Sequence, residues 1–146
     1  MDNHVESLPN VPRELLPYLD RWTVQEPQAL DLQIVQAMQA QMDAGVAWLL
    51  RHGLTYVFLR RVTPWVGQVH VYNLGTPFGM IRGFRAITDA ALAHFPRLEA
   101  RFHEPKLRSA IERCGWVYEG TFRKSYCTES GDFLDEYGYG VTRWDR

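Results

Sequence analysis

The side chains of this 146-residue sequence with nucleophile and base chemistry of their own are Cys114, Cys127 and five histidines. A thiol beside an imidazole could form a covalent intermediate. Cys114, however, ends a helical pattern, where the helix dipole disfavours a thiolate, and a structural role is expected for it. Two cysteines have neither the density of a disulfide framework nor the paired spacing of a zinc site, which predicts free thiols in a reducing cytoplasm and no metal. Gly-x-Ser-x-Gly, the phosphate-binding Walker loop and His-Glu-x-x-His are all absent from the sequence. His70 sits in "VGQVHVYNL", where alternation sends Val66, Gln68, His70 and Tyr72 to one side and Gly67, Val69, Val71 and Asn73 to the other.

The elements that must hold these residues follow from periodicity. Four of the eight prolines fall within residues 1–30, so this stretch reads as a proline-rich arm with at most a short helix around Arg13 to Asp20 and a loop through Glu26-Pro27. From Asp31 to His52, Ile34, Val35, Met38, Met42, Val46, Leu49 and Leu50 recur at three- and four-residue spacing. That pattern predicts one amphipathic helix of about six turns, closed by Gly53. Residues 54–62 and 65–74 are β-branched and aromatic and predict a hairpin. A loop, "GTPFG", precedes a helix over 80–95, followed by a short strand "RLEARF", a helix from about Pro105 to Cys114, and two long strands, 116–127 and 133–143, joined at "ESGD". This order argues for an α/β (α+β) fold, a mixed sheet with helices on both faces, with residues 31–146 as one domain.

Composition narrows the functions. With 46% hydrophobic residues and 23% charged, the chain is globular, and 16 Lys+Arg against 17 Asp+Glu give a net charge of −1. Nothing in that balance draws nucleic acid or an anionic membrane. No apolar run reaches the roughly 18 residues of a membrane span, and the N-terminus lacks a signal pattern, so a cytoplasmic protein is expected.

"IERCGWVYEG", residues 111–120, carries the most specific signal. A helix stops on Gly115, able to take a left-handed cap; Trp116 supplies the accompanying apolar contact, and a strand follows with Glu119-Gly120. Together with Gly131-Asp132, Asp135 and Tyr137 or Tyr139, this resembles the GNAT superfamily of acyl-CoA-dependent N-acyltransferases, nearest to the ribosomal-protein N-terminal acetyltransferase branch. The resemblance implies a mostly antiparallel sheet of about six strands and a helix start that takes the coenzyme A pyrophosphate. Arg82-Gly83-Phe84-Arg85-Ala86-Ile87-Thr88-Asp89-Ala90 aligns with that family's Arg-Gly-x-Gly-x-Ala-Thr-Glu-Ala, with Arg85 where a glycine is usual and Ile87 where a small residue is usual.

By the same resemblance, Arg82, Gly83, Phe84 and Arg85 would meet the pyrophosphate, and Val69 and Val71 would pair with the pantetheine. Glu104, His70 or His103 would be the base and Tyr118 or Ser109 the acid, since Ile111 stands where many members have a tyrosine. The implied reaction moves an acetyl group from acetyl-CoA to an amine on a small molecule or peptide. The alternative is a member without the chemistry, a binding or structural component such as a phage-encoded virion protein, whose N-terminal arm could meet a second copy or another protein.

Overall fold

The computed structural model describes residues 4–18, 27–128 and 130–146. Within them, β1 (Glu6–Leu8) and a 3₁₀ turn (Arg13–Tyr18) lead to α1 (Pro27–Asp43), β2 (Ala47–His52), β3 (Thr55–Thr63), β4 (Val66–Asn73), α2 (Pro77–Leu92), β5 (Arg97–Phe102), α3 (Leu107–Arg113), β6 (Val117–Cys127) and β7 (Phe133–Thr142). Asp20 and Glu26, placed above in a helix and a loop, and Glu129 of the final turn lie outside the described residues.

One sheet holds all seven strands in the order β1-β2-β3-β4-β5-β7-β6. Every neighbouring pair is antiparallel except β4 with β5. The count exceeds the expected six because three residues of the proline-rich arm add themselves to β2 as β1. A three-residue edge carries too little pattern to be read from sequence.

The second correction concerns α1, which stops at Asp43 instead of running to His52. Gly45 (φ +75°) is the true cap: its N–H reaches the Met42 carbonyl and the Val46 N–H reaches that of Gln41, the paired bonds of a Schellman end. The apolar run Ala47-Trp48-Leu49-Leu50 then forms β2, and Gly53 (φ +59°) turns it into β3. A short apolar run fits a helix stripe and a two-sided strand equally well, which is why the periodicity misleads here.

The two faces of the sheet are covered by different helices. Leu50, Val57, Leu59 and Val69 pack with Phe84 and Ile87 of α2 and Ile111 of α3. Leu49, Tyr56 and Phe58 pack on the other face with Met38 of α1 and Leu15 of the 3₁₀ turn. Gly83 is what lets α2 lie close to the sheet: a Cβ there would stand 2.8 Å from the Thr55 Cβ and 3.1 Å from the His52 carbonyl oxygen.

Candidate functional site

β4 and β5 start together and then part. Val66, Gly67 and Gln68 pair in parallel with Arg97, Leu98 and Glu99, and the register ends there, although β4 continues to Asn73 and β5 to Phe102. Alternate N–H and C=O groups of both strands beyond that point face a gap. The gap opens into a cleft of about 570 Å³ whose lining runs from Val69–Asn73 on one strand to Ala100–Glu104 on the other.

Strand alternation gives this cleft two unlike halves. On the side of α2 and α3 its walls are Val71, Met80, Ala100, Phe102, Leu107 and Ile111, all apolar. On the side of α1 they are His70, Tyr72, Arg101, His103, Tyr126 and Glu136. Here the His103 and Tyr126 rings stack with centroids 4.0 Å apart, and Arg101 pairs with Glu136 at 3.1 Å.

At the open end of β4 the chain is tied into a helix start. The Asn73 side-chain amide donates to the carbonyls of Gly75 (3.0 Å) and Thr76 (3.2 Å), and its oxygen accepts from Gly75 N–H and from the Thr55 hydroxyl. Thr76 is the N-cap of α2, its hydroxyl accepting from the Gly79 N–H at 3.1 Å, with Pro77 in the first turn where its missing N–H costs nothing. The positive end of the helix dipole therefore points out beside the cleft, next to Met80.

The expected site residues are distributed unevenly over this geometry. Val69, His70, Val71, His103 and Glu104 all line the cleft, and Glu104 stands at its rim with Oε1 3.6 Å from His103 Nε2. Arg82 to Arg85 do not open a helix; α2 begins at Pro77, and they fall in its second and third turns. Gly83 and Phe84 face the core, Phe84 stacked on Trp116 with centroids 5.3 Å apart. Arg85 donates to the Arg113 carbonyl at 2.6 Å, capping α3.

Arg82 is exposed and borders a larger but shallower depression, about 1110 Å³, between the outer side of α2 and the N-terminal His4 and Val5. That depression meets no parted strands, and the narrower cleft is the better site for chemistry. Ile87 is buried among Val57, Leu98 and Val141, so neither it nor Arg85 obstructs the cleft.

Tyr118 stands apart from the cleft. It is exposed, its hydroxyl bonds the Thr121 hydroxyl, and the Arg108 guanidinium lies 4.7 Å over its ring. Ser109 is likewise on the outer side of α3, beside Glu112. Cys114 is buried, donating to the Ile81 carbonyl at 3.4 Å, and burial pushes its thiol above the ordinary range, against the opposing effect of Arg85 and Arg146.

The motif around Gly115 is the part of the sequence reading that the geometry matches most closely. Gly115 (φ +88°) donates to the Glu112 carbonyl and Trp116 N–H to that of Ile111, a second Schellman end. Trp116 is 3% exposed, and its indole N–H reaches the Thr88 hydroxyl at 3.1 Å. Glu119 crosses to Arg97, Oε2 to Nη1 at 3.0 Å, and so braces the end of the sheet where β4 and β5 still pair.

Thr76, Arg101, Tyr126 and Glu136 were missed by sequence reasoning. Thr76-Pro77 was the available signal, a capping residue followed by a first-turn proline. The others become neighbours only through the β5-β7-β6 order.

Neither a protein-family model nor a curated protein sequence matches the chain. Solved structures do. The ribosomal alpha-N-protein acetyltransferase RimL in complex with coenzyme A superposes with a TM-score of 0.67, at 12% identity over 94% of this chain and 93% of that one. Spermidine N-acetyltransferase from Vibrio cholerae, in complex with CoA and spermine, gives 0.65 at 14% identity over 97% and 96%. The ribosomal-protein-S5-alanine acetyltransferase of Vibrio fischeri gives 0.62 at 16% identity over 89% and 80%. The chain therefore has the fold of these acetyltransferases.

Proposed function

We propose that this protein transfers an acyl group, acetyl first among them, from coenzyme A to a primary amine. The observation that carries the reading is the halt of β4–β5 pairing at Gln68 and Glu99, which leaves a through-cleft with an apolar half and a polar half. Two of the similar structures are complexes with CoA, which supports the choice of donor.

The residues present fit that cofactor. Unpaired backbone near Val69 and Val71 offers donors and acceptors to the pantetheine amides, and the apolar α2 side suits its methylenes. The start of α2 at Thr76–Gly79 suits a pyrophosphate, with glycines at Gly75 and Gly79 where a Cβ would crowd Leu54 and the Thr76 hydroxyl. Arg82, one turn further on, is the exposed cation for a phosphate.

Bound acetyl-CoA supplies the thioester. Glu104, at the rim, accepts the proton of the incoming ammonium, with His70 as the second group able to do so. Backbone N–H groups of β4 beyond Gln68 polarise the carbonyl. α3 presents Leu107 and Ile111 to the cleft and so offers no acid. A thiolate of ordinary basicity, pKa about 8.5, is a good enough leaving group to depart without one.

Thermal melting with acetyl-CoA tests the reading. Stabilisation should grow with ligand, by about 2.7 kcal/mol at a hundredfold excess over Kd. No shift at millimolar acetyl-CoA overturns it. The apolar Leu107 and Ile111 favour one second reading, a protein that binds the thioester without transferring it. That reading predicts the same melting shift with no thiol release in the presence of any amine.

A further inference from the structure

The α1 side of the cleft holds a carboxylate that the steps above do not use. Glu136, on β7, has a side chain only 17% exposed. Its Oε1 accepts from Arg101 Nη2 at 3.1 Å and from the Ser125 hydroxyl at 2.8 Å. Arg101 is itself held over Phe122, its Cζ 3.8 Å from the ring centroid. Both bonds land on Oε1; they fix the carboxylate and leave Oε2 its full capacity to accept. A largely buried carboxylate favours cations beside it. Arg101 meets Oε1, and Oε2 is the oxygen open to a second cation.

Beside Glu136, the stacked His103 and Tyr126 rings, 12° from parallel, form a flat wall along the same half of the cleft. We propose that Glu136 is the acceptor subsite: Oε2 receives the ammonium of a primary alkylamine whose carbon chain lies along the His103–Tyr126 wall. Arg101 and Ser125 are positioning residues for that carboxylate. The inference deepens the transferase reading and names the class of amine.

The test is a titration of the full chain with n-butylammonium chloride, followed at the backbone amides of Ser125, Tyr126 and Glu136 by NMR, with tetramethylammonium chloride of equal ionic strength as control. Saturable shifts with the primary amine alone are expected, weakened at least fivefold in Glu136→Gln. Glutamine at 136 can still accept from Arg101 and Ser125, so this variant preserves the local fold. Identical shifts with both salts, or undiminished binding in Glu136→Gln, overturn the proposal. No CoA is needed for this readout, so a failure of acetyl-CoA to bind would sink the transferase reading separately.

Discussion

Gln68 and Glu99 are the last register partners of β4 and β5, and the interstrand gap begins one residue further along each strand. A sheet that stops pairing in its interior forfeits ladder hydrogen bonds unless something else takes them up. In the proposed reaction the acyl donor is that partner, and filling the wedge should exclude it. Val71→Trp projects a large ring into the apolar half, at a cost in stability of about 1–3 kcal/mol from overpacking. Acetyl-CoA affinity by calorimetry should drop at least tenfold; an unchanged affinity would place the donor elsewhere.

Residues 82 to 85 divide between two jobs. Arg82→Ala removes an exposed cation and should weaken acetyl-CoA binding by about 1.5–3 kcal/mol, the range for hydrogen bonds to charged groups, while melting stays near wild type. Phe84→Ala empties a site against Trp116 and should cost about 3–5 kcal/mol of stability in chemical denaturation. Equal loss of affinity and stability in both variants would contradict the division.

That division also marks how far the sequence could be read. Both terminal strands, the β3–β4 hairpin and the Gly115 cap were legible because alternation and capping are local. His70 and Glu104 were named only through the resemblance, and both line the cleft. The start of α2 was set too late because Arg82-Gly83 imitates a phosphate loop, whereas Gly83 answers to Thr55 beneath the helix. Arg101 and Glu136 lie 35 residues apart and meet only because β7 inserts between β5 and β6. No local pattern reports that.

Glu104 is tested by its rate. Glutamine keeps the size and removes the proton acceptor, so Glu104→Gln should lower kcat by about a hundredfold or more and leave the amine KM nearly unchanged. Thiol release with acetyl-CoA and a primary amine measures both. A rise in KM at constant kcat would mean that Glu104 binds the amine instead of deprotonating it.

Gly115→Ala asks for a left-handed residue with a Cβ, at φ +88° and against the Arg146 guanidinium. The expected loss is about 1–2 kcal/mol, seen as a lower urea midpoint with an unchanged m-value. A neutral result would mean that the Schellman end of α3 is not under strain from the side chain.

Stability should fall in alkali, and the sign can be worked out. Burial raises the Cys114 thiol above its ordinary 9.0, and burial likewise raises the Tyr139 hydroxyl above 10.0, where Arg108 opposes the shift and Glu112 reinforces it. As pH rises through the ordinary values, the unfolded chain releases these protons before the folded chain does. It then binds fewer protons than the native state, so the slope of stability against pH is negative. The contribution is complete below pH 9.0 for Cys114 and is lost as pH climbs towards its folded value. Urea midpoints at pH 7, 8.5 and 10 should decline over the upper interval. Cys114→Ala should start lower, having lost a buried side chain, yet decline less steeply between the last two points. Parallel curves for the two proteins would show that the thiol titrates alike in both states.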